Sequence, residues 1–377
     1  MLKNYSKFVT TLFCGFLGVV VAANALTPDK SFSEMENRNL AQKPVVSLNG
    51  LLTGKFMSEY ESYVTDQFAG RDGWTAAKAA AELASGKQEN NGVYFCGGST
   101  LITRFDAPDA EKVEKNLTYI NKFAGLSSVP VYFGLIPGAA TVWADRLPEG
   151  APNYDQKLVI DRAAQSTAAQ FIDLYTPLME HKSEEIFYRT DHHWTSLGAY
   201  YGYTGVAGAL GLTPVPLTDY VKTTVSTDFY GTVFSSSGVR WVRPDSMDTY
   251  VPEDGVTVTS YTYDAQGNPV EVARQLYDES FLAKKDKYAM FLGGQQALGV
   301  VRTGHTDKPK LLLIRDSYSD SLVPFLTPHF SEIHLIDLRY YKQSAAQYIQ
   351  DNGIDTALVL YSVPNFVSDT NLVWLGR

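Results

Sequence analysis

The chain contains 377 residues, of which 45% are hydrophobic and 19% are charged. This length and apolar content exclude a disordered chain and are sufficient for one large α/β domain or two small ones. The formal net charge is −9 and Lys and Arg are not clustered, whereas neutralising the phosphates of a nucleic acid needs clustered cations. We therefore expect no nucleic-acid partner.

The N-terminal segment has the composition of an export signal. Lys3 and Lys7 precede an uncharged apolar stretch from Phe8 to Leu26. This stretch is close to the ~20 residues that span a bilayer, and Ala23-Asn24-Ala25 is also a small-x-small cleavage motif. Residues 1–26 are interpreted as either a retained membrane anchor or a cleaved signal peptide. Both interpretations place the rest of the chain outside the cytoplasm, in the cell envelope or secreted.

Residues 27–45 are polar and irregular, which predicts a linker between this segment and a domain over residues 46–377. The domain opens with apolar residues at helical spacing between Gly54 and Ala84, which predict two helices. Two short strands are expected next, on either side of a Gly97-Gly98 turn. The start of the domain is therefore predicted to be helical, with the sheet beginning later.

Four nearly continuous apolar runs alternate with helical patterns through the rest of the domain: residues 129–137, 310–314, 333–337 and 356–361. Strands covered on both faces have this composition, so we predict a parallel sheet in a three-layer α/β fold of the flavodoxin-like kind. Residues 216–275 are rich in Thr, Val, Ser and Tyr. They predict an antiparallel β-rich insertion with a hairpin turn at residues 265–268.

Ser317 follows the predicted strand at residues 310–314 and precedes a helix predicted to begin by Ser319. Open α/β sheets bind ligands at the carboxyl ends of their strands, and a backbone N–H at a helix start can stabilise an oxyanion. Ser317 is therefore a candidate nucleophile. The competing interpretation is that Asp316, Ser317 and Ser319 only cap a helix, and this segment alone does not separate the two.

Asp191 and His193 are two residues apart, so the carboxylate can orient one imidazole nitrogen while the other acts as a general base. On an extended backbone, His192 would point to the opposite side. One alternative is a purely structural histidine pair, and another is a metal site formed by His181, His192, His193 and nearby acids. The spacing matches no standard zinc motif, and we expect neither a metal nor another cofactor.

The run Thr190-Asp191-His192-His193-Trp194-Thr195 resembles the motif that names the DHHW family of bacterial surface proteins. That family is similar to the SGNH-hydrolase-like alginate O-acetylation proteins AlgJ and AlgX. Further segments resemble the family in the same order: residues 36–40, 66–68, 71–72, 288–294, 316–318 and 337–341. The resemblance implies an SGNH-hydrolase-like αβα fold with a permuted motif order, in which Asp-x-His precedes the serine.

The resemblance implies a catalytic triad of Ser317, His193 and Asp191. The Gly and Asn that complete the oxyanion hole of ordinary SGNH enzymes have no clear counterpart here. Candidates for oxyanion or substrate contacts are therefore taken from strand ends and from the motif: Arg339, Tyr361, Asn365 and Trp194. Arg339 is alternatively an ion-pair partner of Asp337, and Trp194 either stacks on a sugar or braces the histidine loop.

The function implied by the resemblance is an O-acetyltransferase or acetylesterase that acts on a cell-surface polysaccharide through an acyl-serine intermediate. It also implies a membrane-bound O-acyltransferase partner that supplies the acyl group. The alternative is a non-catalytic glycan-binding or scaffold protein of the cell envelope with the same fold. The distance from Ser317 Oγ to His193 separates these two hypotheses.

Overall fold

A computed structural model describes residues 2–33, 35–36, 38–251, 255–263 and 269–377 of the chain. The chain forms two compact units. One comprises Met1–Asn91 and Ser235–Arg240, and the other comprises Gly92–Phe234 and Trp241–Arg377. The first unit contains the apolar N-terminal helix and the second contains the large sheet.

The first unit is mainly helical. Its elements are α1 (Leu2–Leu26), β1 (Phe32–Ser33), β2 (Arg38–Asn39), α2 (Leu48–Leu52), α3 (Lys55–Asp66), α4 (Arg71–Ala84) and β3 (Glu89–Asn90). The exposed helix α1 is long and apolar enough over Tyr5–Leu26 to cross a membrane, as expected of an export signal or anchor. The two helices predicted between Gly54 and Ala84 are confirmed as α3 and α4.

Ion pairs tie the predicted linker to the helices of the first unit. The guanidinium of Arg38 donates to both carboxylate oxygens of Asp66, at 2.8 and 2.6 Å. Arg71 at the start of α4 pairs with Glu36 at 2.7 Å. Residues of the predicted linker therefore take part in the fold of the first unit.

The second unit begins with the predicted hairpin of β4 (Val93–Cys96) and β5 (Thr100–Thr103). The next elements are α5 (Ala110–Leu126), β6 (Val131–Ile136), α6 (Ala139–Val142), α7 (Gln156–Ser166), β7 (Gln170–Ile172), α8 (Tyr175–Glu180), α9 (Ser196–Ala209), β8 (Val221–Phe229), α10 (Thr232–Ser237), which ends within the first unit's residues, and β9 (Asp245–Val251). The chain ends with β10 (Thr257–Tyr263), β11 (Pro269–Arg274), β12 (Leu298–Arg302), β13 (Lys310–Arg315), α11 (Val323–Leu326), β14 (Glu332–Ile336), α12 (Ala345–Asn352), β15 (Thr356–Ser362) and α13 (Val363–Ser368).

Within the described residues, eight strands form one sheet in the order β11-β10-β12-β14-β13-β15-β6-β7. The strands from β14 to β7 are parallel, and they include all four predicted buried strands. Every residue from Leu311 to Arg315 in β13 is buried. Because successive side chains of a strand point to opposite faces, both faces of the sheet are covered. The predicted α/β fold with a mostly parallel sheet is confirmed.

Two groups of helices pack around this sheet. In one group α5 contacts α7, α12 and α13, and in the other α8 contacts α6 and α9 while α9 contacts α11. The register pairs Ile314 of β13 with Ile336 of β14 and with Val359 of β15. The carboxyl ends of these three strands therefore meet at one edge, where an open α/β sheet places its site.

The β-rich segment at residues 216–275 divides between two sheets. Strands β8 and β9 form a separate antiparallel pair. Strands β10 and β11 instead extend the main sheet, because β10 pairs with β12 and β12 pairs with β14, both antiparallel. The predicted turn at residues 265–268 lies outside the described residues. Half of the predicted insertion is thus the edge of the main sheet.

Candidate active site

Ser317 lies two residues after β13, at the start of a 3₁₀ turn. Asp316 caps this turn, because its side chain accepts a hydrogen bond from the Tyr318 N–H at 3.1 Å. The second carboxylate oxygen of Asp316 accepts from Ser362 Oγ and Asn365 Nδ2, both at 2.7 Å. The capping role is therefore filled by Asp316, and the Ser317 side chain has a different partner.

The partner of the Ser317 hydroxyl is the imidazole of His193. Ser317 Oγ lies 2.9 Å from His193 Nε2, and His193 Nδ1 lies 2.5 Å from Asp191 Oδ1. The side chains of His193 and Asp191 are only 6% and 2% exposed. A carboxylate on Nδ1 favours the tautomer whose Nε2 can accept the serine proton. The structure brings the three predicted residues together within hydrogen-bond distance.

An Asx turn shapes the loop that carries His193. Asp191 Oδ1 also accepts the His193 N–H at 3.0 Å, and Oδ2 accepts the N–H and the Oγ1–H of Thr232 at 2.7 and 3.0 Å. Burial by itself would raise the pKa of Asp191. Electrostatic interaction with His192 and His193, together with these hydrogen bonds, instead holds that pKa well below its usual range. Asp191 is therefore ionised at neutral pH.

Gly231 leaves the space that the Asp191 carboxylate occupies. A Cβ atom at this position would lie 2.2 Å from both Cβ and Oδ2 of Asp191, well inside contact distance. This close approach lets the backbone N–H of Thr232 reach the carboxylate. Thr232 lies 41 positions after Asp191, and no local motif marks either residue. Sequence reasoning therefore missed both.

Asp245 anchors the start of the histidine loop. Its Oδ2 accepts from the Thr190 N–H at 2.9 Å and from Thr190 Oγ1 at 2.5 Å, and its Oδ1 accepts from the Arg189 N–H at 3.0 Å. Burial raises the pKa of Asp245, and the hydrogen bonds from Thr190 and Arg189 oppose that shift. Because β9 begins at Asp245, the β8–β9 pair supports the candidate catalytic loop.

The prediction that His192 points away from His193 is wrong. The two imidazole centroids lie 3.9 Å apart, and His192 Nδ1 lies 2.6 Å from Thr232 Oγ1. The Asx turn bends the backbone, so the side-chain alternation of an extended strand does not apply. Loss of hydration and the charge of His193 lower the pKa of His192 to about 4, although 40% of its side chain remains exposed. His192 is therefore neutral at pH 7.

Trp194 is fully buried, so the prediction that it could stack on a sugar is wrong. Its indole Nε1 donates to the Tyr318 carbonyl at 2.8 Å and to Ser321 Oγ at 3.0 Å. Helix α9 leaves room for the indole, because a Cβ at Gly202 would lie 2.6 Å from two of its ring atoms. Trp194 instead links the histidine loop to the serine turn by these hydrogen bonds, as the alternative interpretation expected.

Arg339, Tyr361 and Asn365 line one polar cavity of about 190 Å³ beside Asp316. Asn365 Nδ2 donates to Asp316, and Arg339 pairs with Asp337 at 2.6 Å, as the ion-pair interpretation expected. Burial raises the pKa of Tyr361 well above its usual value, so its hydroxyl stays protonated. These strand-end residues thus converge, but two of them already donate to carboxylates. Their contact with a substrate stays a prediction.

The donor set fits a hydrogen-bonded triad better than a metal site. Asp191, His192 and His193 each offer one ligand atom within 4.8 Å of the others. However, the 2.5 Å between Asp191 Oδ1 and His193 Nδ1 is shorter than the ~3 Å between two ligands that each lie about 2.0–2.1 Å from zinc. His181 contacts Glu184 and stacks on Tyr201 instead.

Comparison with known proteins gives a match to one family model and a shared fold. The family model for the DHHW protein matches residues 158–336. A DHHW family protein from Eubacterium siraeum DSM 15702 has 28% sequence identity and a TM-score of 0.65, covering 76% of this chain and 95% of that chain. Bacillus cereus PatB1, solved with a sulfonyl adduct, has 23% identity and a TM-score of 0.60, covering 74% and 96% respectively.

A further similar structure is the O-acetyltransferase domain of Pseudomonas putida AlgJ, at 16% identity and a TM-score of 0.47, covering 75% of this chain and 94% of that chain. Comparison with curated protein sequences finds no match. The likeness to the Eubacterium siraeum and PatB1 structures confirms the predicted SGNH-hydrolase-like α/β fold.

Proposed function

We propose that this chain is a DHHW family protein, whose family model matches residues 158–336, and that it is a serine-dependent enzyme of acyl transfer. In this proposal it is an extracytoplasmic O-acetyltransferase or acetylesterase that acts on a cell-surface polysaccharide. The observation that carries the proposal is the 2.9 Å contact between Ser317 Oγ and His193 Nε2. A serine that only caps a helix needs a backbone N–H as its partner. A serine hydroxyl that contacts a buried imidazole, which is itself oriented by a carboxylate, favours nucleophilic catalysis.

In the first half-reaction, Ser317 takes an acyl group from an ester or thioester donor. His193 Nε2 accepts the hydroxyl proton as Oγ bonds to the acyl carbon. The tetrahedral intermediate then expels the donor's oxygen or sulfur, which receives the same proton from His193. Asp191 stabilises the imidazolium between the two transfers. The backbone N–H of Ser317 is the proposed oxyanion donor, because the N–H of Tyr318 is already bonded to Asp316.

In the second half-reaction, an acceptor hydroxyl gives its proton to His193 and attacks the acyl carbon, and Ser317 leaves with that proton restored. A polysaccharide hydroxyl yields an O-acylated glycan, whereas water yields the free acid. The proposed partners are the glycan and a membrane-bound O-acyltransferase that delivers acyl groups. The apolar N-terminal helix is proposed to direct the enzyme to the membrane or through it.

The competing hypothesis is a non-catalytic glycan-binding or scaffold protein with the same fold. That hypothesis expects Ser317 Oγ to lie beyond hydrogen-bond reach of His193. The contact at 2.9 Å and the ionised Asp191 support the enzyme instead.

Covalent labelling tests the proposal. An activated serine displaces fluoride from phenylmethanesulfonyl fluoride and keeps the sulfonyl group, which intact-mass analysis and peptide mapping detect. We expect one adduct on Ser317 in the full-length protein and none in Ser317→Ala. Ser319→Ala is the matched control, because Ser319 is a buried serine of the same turn and should not be needed for labelling. An adduct that persists equally in Ser317→Ala overturns the proposal.

Asp191→Asn should lower the rate of Ser317 acylation by p-nitrophenyl acetate about 10⁴-fold. An amide can present an N–H to His193 Nδ1, so it no longer enforces the tautomer whose Nε2 accepts the serine proton. Stopped-flow release of nitrophenol measures the effect. A loss smaller than tenfold would show that the carboxylate does not orient His193.

The same carboxylate makes stability depend on pH. The pKa of Asp191 in the folded chain lies below its unfolded value of about 3.9, so its stabilisation is present above that value and is lost as the pH falls below it. We expect the wild-type protein to have a higher free energy of urea unfolding than Asp191→Asn. The difference should be largest at pH 7 and should shrink toward pH 3. A difference that is constant with pH would contradict this assignment.

A further inference from the structure

The ring of Tyr288 covers one face of the His193 imidazole. The two rings are parallel within 8° and their centroids are 3.7 Å apart. The ring of His192, also within 3.9 Å of the His193 centroid, must lie on the opposite face because Tyr288 fills the first. Tyr288 is itself buried, on the 3₁₀ turn Lys287–Met290. His193 is therefore held between two aromatic rings.

The hydroxyl of Tyr288 reaches the other half of the site. It donates to the Ser317 carbonyl at 3.2 Å and lies 3.1 Å from Ser321 Oγ. Burial raises the pKa of Tyr288 well above its usual value, so the hydroxyl keeps its proton. One side chain thus contacts the candidate base through its ring and the backbone of the candidate nucleophile through its hydroxyl.

We propose that Tyr288 is a positioning residue for acyl transfer. It fixes the orientation of the His193 imidazole plane relative to the Ser317 backbone. This inference deepens the function proposed above and rests on it. The terminal torsion of histidine is broad, so an unstacked ring could turn Nε2 away from the serine hydroxyl. The π face of Tyr288 also lies where positive charge develops on His193 during proton transfer, and that contact is favourable.

Tyr288→Leu and Tyr288→Phe separate the ring from the hydroxyl. With p-nitrophenyl acetate and the full-length protein, we expect Tyr288→Leu to lower kcat about 10- to 100-fold with little change in KM, because a misplaced base costs rate. Tyr288→Phe keeps the ring stacked on His193, so its kcat should stay within about fivefold of the wild-type value. A change of that size corresponds to the loss of one hydrogen bond.

Nuclear magnetic resonance reads the ring contact directly. The ring current of Tyr288 should shift the His193 Cε1–H resonance upfield, in wild type and in Tyr288→Phe alike. We expect that shift to disappear in Tyr288→Leu. If Tyr288 had only a structural role, Tyr288→Leu would lower the stability of the protein, and kcat would not change together with the His193 resonance.

Tyr94→Leu is the matched control, because it removes a tyrosine of similar burial in β4, whose hydroxyl donates to the Pro152 carbonyl and not to the serine turn. It should lower the melting temperature without changing kcat or the histidine resonance. Tyr288→Met replaces Tyr288→Leu if the latter does not fold. A folded ring-deletion variant with wild-type kcat and a wild-type His193 resonance overturns the positioning role. If wild type itself never acylates Ser317, the proposed function fails, and the resonance still tests the ring contact.

Discussion

His193→Ala is expected to lower kcat for an acyl ester by about 10⁵- to 10⁶-fold, as much as Ser317→Ala. The imidazole is the group within 3 Å of Ser317 Oγ that can take its proton, and without it the hydroxyl is a weak nucleophile at pH 7. Because the two residues act in the same proton transfer, the double variant should be no slower than either single variant. Single-turnover kinetics with p-nitrophenyl acetate measure all three.

Two other histidines control for this result. His305 is half-buried in the segment between β12 and β13 and is not one of the candidate site residues, so His305→Ala should acylate Ser317 at the wild-type rate. His192→Ala removes a ring contact and one hydrogen bond to Thr232, so we expect a loss of about fivefold. Equal, large losses at His192 and His193 would instead indicate a metal site, which the metal content of the purified protein would then show.

Gly231→Ala is expected to destabilise the fold by about 1–3 kcal/mol and to slow acylation about 100-fold. The added Cβ would lie 2.2 Å from Asp191 Oδ2, so the carboxylate or the Thr232 segment must move. Either movement breaks the hydrogen bonds from Thr232 and turns the His193 ring away from Ser317. Urea unfolding and the rate of sulfonyl labelling measure the two effects.

Gly125→Ala provides the comparison for that variant. Gly125 lies in α5, and an added Cβ there meets nothing within 4 Å. Alanine in a helix should be neutral or stabilise by about 0.5–1 kcal/mol, with no change in labelling. If Gly231→Ala labels as fast as Gly125→Ala, the Asp191 carboxylate does not depend on the space left by residue 231.

The strands of the main sheet could be predicted because burial on both faces leaves a local pattern. The runs at residues 310–314, 333–337 and 356–361 are mainly apolar, and each forms a buried strand. Strand β12 was not predicted, since Leu298–Arg302 is short and interrupted by Gly299. It is also antiparallel to β14, and pairing of that kind depends on a distant strand rather than on its own sequence.

From the sequence, the site could be predicted only through the types of its residues and the spacing of its motifs. Asp-x-His spacing and the strand-end position of Ser317 made the three residues candidates, and the family resemblance joined them into the triad whose side chains meet in the structure. The same spacing argument failed for His192, because it assumed an extended backbone where an Asx turn bends the chain. The burial of Trp194 decided between its two interpreted roles, and the sequence did not reveal that burial.

The sequence by itself determined the parallel strands and the helices before them, because these depend on periodicity within one element. It also made Ser317, His193 and Asp191 candidates, which the resemblance to the DHHW family joined into one predicted triad. The tertiary structure decided what holds those three in place: Thr232, Asp245 and Tyr288, which lie 41, 55 and 29 positions from their partners. Contacts at such separations form only when the sheet closes, so their geometry is a property of the packed fold rather than of any segment.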